Sequence, residues 1–110
     1  MESDNYWAKK QGQELFEQAL QLEADGKVSE AVEAYQKSLA QWPFNGQAQY
    51  NMGIALATTG KIEQALRAWK RAIWLDPAFR LELIKAFDID DELREELVGW
   101  FPGEELAQAA

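Results

Sequence analysis

The acidic run DIDDE, Asp88 to Glu92, is the stretch of the chain with the types of residue that could hold a metal ion. Closely spaced carboxylates hold calcium when a glycine stands at the sixth loop position and a bidentate glutamate at the twelfth. Counted from Asp88, the sixth residue is Leu93 and the twelfth is Gly99, so the run reads as carboxylates gathered at a helix start, where the macrodipole favours them. The hydroxyls that could act as nucleophiles are Ser3, Ser29, Ser38, Thr58 and Thr59. With no His and no Cys anywhere, no imidazole base, thiolate or zinc site is available to them. No glycine-rich phosphate loop is present either. The expectation is a protein that is not an enzyme and takes no metal or cofactor.

A second cluster has a different chemistry. Trp74 follows Arg71, Lys70 and Arg67 at spacings of three, four and seven, which puts all four on one helix face. Residues 1–45 carry −4, residues 46–77 carry +2 and residues 78–110 carry −6, so this basic, aromatic ridge lies between two acidic segments. Such a ridge could anchor an acidic partner, or the segment holding Glu92, Glu95 and Glu96, from the same chain or another copy. The plainer alternative is a solvated face with the indole held by a cation–π contact to Arg71 or Lys70. A net charge of −8 over 110 residues argues against nucleic acid, whose binding depends on Lys and Arg neutralising phosphates. No signal-peptide run opens the chain and no apolar stretch is long enough for a bilayer, so no membrane insertion and a cytoplasmic location are expected. The lack of Cys is compatible with a reducing compartment.

The elements that must position these residues follow from an internal duplication. A shift of 34 superposes Gly12 on Gly46, Gln13 on Gln47, Leu22 on Leu56, Gly26 on Gly60, Lys27 on Lys61, Ala31 on Ala65, Ala34 on Ala68 and Pro43 on Pro77. Phe16 with Tyr50, Leu20 with Ile54, Val28 with Ile62, Tyr35 with Trp69 and Leu39 with Ile73 are conservative pairs at the same offset. A fixed period of this length signals a repeat architecture. Each unit reads as two helices. In the second, Asn45 caps GQAQYNMGIALATT, Gly60 ends it in the left-handed conformation, and IEQALRAWKRAIWL runs to the stop at Asp76-Pro77. Ile62, Ala65, Leu66, Trp69, Ala72 and Ile73 form its apolar stripe. The first unit repeats this, with its opening helix extended back to a cap at Ser3 or Asp4.

The two units resemble tetratricopeptide (TPR) repeats over residues 12–79. The second shows Met52, Gly53, Leu56, Ala65, Trp69, Ala72 and Pro77 at the pattern positions; the first shows Leu15, Ala19, Leu22, Ala31, Tyr35, Ser38 and Pro43. Gly53 with Ala65, and Ala19 with Ala31, are the small residues that let the helices of a unit approach, with Trp69 or Tyr35 filling the space beside them. Gln18 and Gln49 depart from the pattern, being polar where the family prefers bulk. The resemblance implies an all-α fold, two helix-turn-helix repeats in a short right-handed solenoid. It also implies a groove lined by the first helix of each repeat, at Gln13, Phe16, Glu17 and Leu20, then Gln47, Tyr50, Asn51 and Ile54. Asn51 would bond a bound peptide's backbone. The subfamily that clamps a terminal carboxylate uses a Lys and an Asn where this chain has Phe16 and Leu20, so a helix or apolar peptide suits the groove better.

After Pro77 the period fails, for Phe87 falls where Gly53 and Ala19 stood and would wedge a third unit apart. AFRLELIKAF and DDELREELVGWF read as capping helices and GEELAQAA as a tail; two repeats alone bury little continuous core. Trp7 and Trp100 are expected to pack the ends and Trp42 to cover the junction between repeats. The chain is thus expected to be a single domain, 1–110, with repeats at 12–45 and 46–79, a cap at 80–101 and a tail at 102–110. Its expected role is a protein-interaction adaptor binding a peptide or helix of a partner protein. The alternative is self-assembly, in which a homodimer completes the solenoid and covers Phe16, Leu20, Tyr50 and Ile54.

Overall fold

The computed structural model describes residues 2–87. These form five helices: α1 Glu2–Ala24, α2 Val28–Gln41, α3 Gly46–Thr58, α4 Ile62–Leu75 and α5 Ala78–Phe87. No strand occurs among the described residues, and the fold is an all-α helical repeat. The acidic run, the second capping helix, Trp100 and the tail lie outside the described residues, as does any test of a wedge by the Phe87 side chain.

Both hairpins turn by the same device. Gly26 and Gly60 have φ of +80° and +84°, a conformation that costs glycine little because it has no Cβ. At the first turn Lys27 N–H donates to the Leu22 carbonyl at 2.8 Å and Gly26 N–H to that of Glu23 at 2.9 Å. At the second, Lys61 N–H donates to Leu56 at 2.9 Å and Gly60 N–H to Ala57 at 3.0 Å. This is the Schellman pattern, which satisfies carbonyls a helix end would leave bare. Lys27 and Lys61 then open the next helix, accepting from Ala31 and Ala65 N–H, so the connection needs no further residues.

The starts of α3 and α5 are set by side chains. Asn45 Oδ1 accepts from Ala48 N–H at 3.1 Å, as an N-cap should. Asp76 caps the end of α4 and accepts from Ala78 N–H at 3.0 Å where α5 begins, with Pro77 just before the helix, where its missing N–H leaves no bond unmade. α1 begins at Glu2 rather than at the caps expected from Ser3 or Asp4.

Each helix packs on the next, most extensively α1 with α2 and α3 with α4. The core runs continuously through Ala19, Ala31, Tyr35, Ala48, Met52, Leu56, Ala65, Trp69 and Ile73. Ala19, Ala31, Ala65 and Ala72 are wholly buried, consistent with close helix approach through small residues. At Gly53 the nearest neighbour is the ring expected to fill the space beside the small residues. A Cβ there would overlap the Trp69 indole, whose Nε1 donates to the Tyr50 carbonyl at 3.2 Å. Glycine makes room for an aromatic ring that is itself anchored to the same helix. Gly12 is a second close approach: an added Cβ would lie 2.8 Å from Trp42 Cβ, while Ser38 Oγ donates to the Gly12 carbonyl at 2.6 Å.

Those contacts place the end of α2 level with Gly12. At 1.5 Å per residue α1 is about 35 Å long and α2 about 21 Å, so the first two turns of α1 overhang their partner. Trp7 is consequently 57% exposed, contrary to the expectation that it packs an end; it stands edge-on to Tyr6 with Lys10 over its ring. Trp42 is half-buried against Gly12, edge-on to Phe44 and under Lys9, closing the first hairpin's open end. Ile62 is also corrected: at the very start of α4, one turn before Ala65 enters the core, it is 52% exposed.

Candidate functional site

Three of the hydroxyls that could have been nucleophiles are occupied. Ser38 is buried and donates to Gly12, Thr58 donates to the Ile54 carbonyl and Thr59 to that of Leu56, so these three serve the backbone. Ser29 is exposed on α2. Among the described residues no group of His, Cys, Asp or Glu is placed to hold a metal ion, and no helix is long and apolar enough to cross a membrane.

The eight positions expected to line a groove fall on α1 and α3 and divide into two groups. Leu20 is 40% exposed, Phe16, Ile54 and Asn51 are half-buried, and Gln13, Glu17 and Gln47 are exposed. Tyr50 is different. It is buried, with its ring stacked on Phe79 of α5 at a centroid distance of 5.1 Å, and burial followed by the Glu82 charge raises its pKa. Gly46 admits this cover, since a Cβ there would come 2.9 Å from the Phe79 ring. α5 of the same chain therefore takes Tyr50 out of the open surface, whereas Leu20 stays exposed.

The remainder of the face is organised from below by Tyr35 of α2. Its ring lies 6.1 Å from that of Phe16 and its hydroxyl donates to Glu23. Burial, then Glu23, push its pKa well above the ordinary tyrosine value, with Asn51 pulling weakly the other way. Tyr35 thus ties Phe16 and Glu23 on α1 to Asn51 on α3. Asn51 Oδ1 in turn accepts from Gln47 Nε2 at 2.9 Å.

On the opposite side, between α2 and α4, lies a hollow of about 900 Å³. Leu39, Met52 and Gln49 form its floor, and Ala40 and Phe44 one wall. Arg67, Lys70, Arg71 and Trp74 line the other, so the four residues grouped by helical spacing do converge on one feature. Trp74 is 78% exposed. That exposure is what the solvated-face alternative requires, and among the described residues the cations stacked on indoles are Lys9 on Trp42 and Lys10 on Trp7. Sequence reasoning missed Phe44 and Gln49 here. Gln49 carried a signal, being polar where the first repeat has Leu15.

Comparison with known proteins accounts for this arrangement. A search of curated proteins finds no match to the chain. The family profile described as "Tetratricopeptide repeat" matches residues 16–79, which spans the C-terminal part of α1, all of α2 to α4, both Schellman turns and the first residues of α5. The match covers more than half of the 110 residues, and the chain belongs to the tetratricopeptide repeat family.

Proposed function

We propose that this chain is a non-enzymatic adaptor that binds a peptide or helix of a partner protein on the face formed by α1 and α3. TPR repeats are in general protein-interaction modules, and one observation supports this face as the surface used. Leu20, Phe16 and Ile54 leave an apolar strip partly open between exposed polar groups of the same helices, Gln13, Glu17 and Gln47. An amphipathic segment laid on the strip buries its apolar side there and meets amides and a carboxylate at the rim. Asn51 acts as a positioning group, since its oxygen is engaged by Gln47, and Tyr50 supports the strip from beneath.

The test uses a partner isolated on the wild-type chain and then purified. Leu20→Glu places a charge on the exposed strip, and Ile54→Glu does so at a side chain that also packs on the core, so its helical signal is checked alongside; each should weaken binding about tenfold or more. Retained affinity in both variants would refute the assignment. Sedimentation over a concentration range separates the self-assembly reading: a homodimer that Leu20→Glu dissociates would mean that a second copy covers the strip.

A further inference from the structure

We propose that the hollow between α2 and α4 is a second docking site, taking an extended acidic segment of a partner protein that carries an apolar anchor. Its volume of about 900 Å³ is that of a ligand site rather than a packing defect. Four observations specify the occupant. The floor is apolar, from Leu39 and Met52. Two aromatic side chains stand open at the rim, Trp74 at 78% and Phe44 at 67% exposure, the type of residue that dominates binding energy when desolvated by a partner.

The third observation is Gln49. It is 6% exposed, lines the hollow, and its Oε1 has no hydrogen-bond partner. A buried amide oxygen left unpaired calls for a donor, which Gln49 meets by turning this closed-off oxygen toward the hollow. An extended chain offers free backbone N–H groups, whereas those of a helix are already committed to its own carbonyls. Charge is the fourth. Arg67, Lys70 and Arg71 share one wall, and none of them forms an ion pair among the described residues, in a chain whose total is −8. A segment with carboxylates and apolar residues in alternation would meet those cations while seating its anchor on the floor.

The walls explain why the duplication is imperfect here. Ala40 and Trp74 occupy equivalent places in the two repeats, and both line the hollow. A small residue opens one wall and an indole overhangs the other. Two tryptophans or two alanines would give either a filled gap or a bare one.

The experiment is fluorescence anisotropy with the full chain and a fluorescein-labelled peptide, Glu-Leu-Asp-Phe-Glu-Leu-Asp-Glu, beside a control with Lys at every acidic position. The acidic peptide should bind saturably and lose affinity with salt, while the Lys peptide should not bind. Trp74→Ala and Arg71→Glu, both at exposed positions, should each weaken binding about tenfold, and Gln49→Leu about threefold. Leu20→Glu, which disables the α1/α3 face, should leave it unchanged, so failure here and failure of the adaptor reading are separable. Circular dichroism confirms that the variants fold. Equal binding of both peptides, no saturable binding, or loss on Leu20→Glu would overturn the proposal. So would a homodimer dissolved by Trp74→Ala, or about tenfold tighter binding when Glu92, Glu95 and Glu96 are changed to Gln, because a second copy or the chain's own acidic segment would then be the occupant.

Discussion

At the residue scale the most constrained position is Gly53. Its missing Cβ is the space that the Trp69 indole occupies, and Trp69 is held there by its bond to Tyr50. Gly53→Ala should therefore destabilise by about 1–3 kcal/mol, the cost of overpacking a core, read as a lower melting temperature with the helical signal otherwise intact. Gly60→Ala acts by another route, forcing an L-residue into φ of +84° in open space, and should cost about 1–2 kcal/mol. Gln49 runs the opposite way. Its buried oxygen lacks a partner, so Gln49→Leu, the residue type of the first repeat, should raise stability by about 1 kcal/mol in urea unfolding while weakening the acidic peptide. The small size needed at 53 was legible from the repeat pattern. That the Trp69 indole would donate to the Tyr50 carbonyl was not, because spacing reports that a ring comes close without saying what it bonds.

At the scale of elements, two contacts decide how the helices behave. Tyr35 joins α2 to α1 through Glu23 and sits beside Asn51 of α3. Its pKa is raised, so below the ordinary value of 10 the folded and unfolded chains bind the same proton and this group's stabilisation is complete. Above it the unfolded chain ionises first, and stability falls by about 1.4 kcal/mol per pH unit for such a group. Unfolding measured from about pH 9 upward should show that decline, and Tyr35→Phe should make it shallower, leaving the share of Tyr50, whose pKa is also raised. The second contact is α5 on α3. Phe79→Ala removes the ring that covers Tyr50 and should cost about 2 kcal/mol, since Phe79 is only half-buried; hydrogen exchange should speed up in α5 and at the start of α3 while α1 and α2 keep their protection. The turns were readable because a glycine before a lysine recurs at a fixed offset and the Schellman geometry is local. The overhang of α1, and with it the exposure of Trp7, depends on where α2 stops, which the residues of α1 do not encode.

Over the whole molecule, the two repeats present unlike faces. The α1/α3 face is an apolar strip between amides and carboxylates; the α2/α4 side is a cation-lined hollow under two open aromatics. The ridge was found by periodicity, since positions three, four and seven apart must share a helix face, and the α1/α3 residues through the resemblance to the repeat family. Their surroundings were not. A chain with this pattern was bound to form two helical hairpins, with small residues buried, glycines at the turns and a charged ridge ending in Trp74, because turn chemistry and helical period act over a few residues. Packing alone decided that α5 would cover Tyr50 while leaving Leu20 open, and that Gln49, Phe44 and Ala40 would gather opposite Trp74. Those neighbours come from separate helices, and what one helix conceals or leaves exposed on another is fixed only when their surfaces meet.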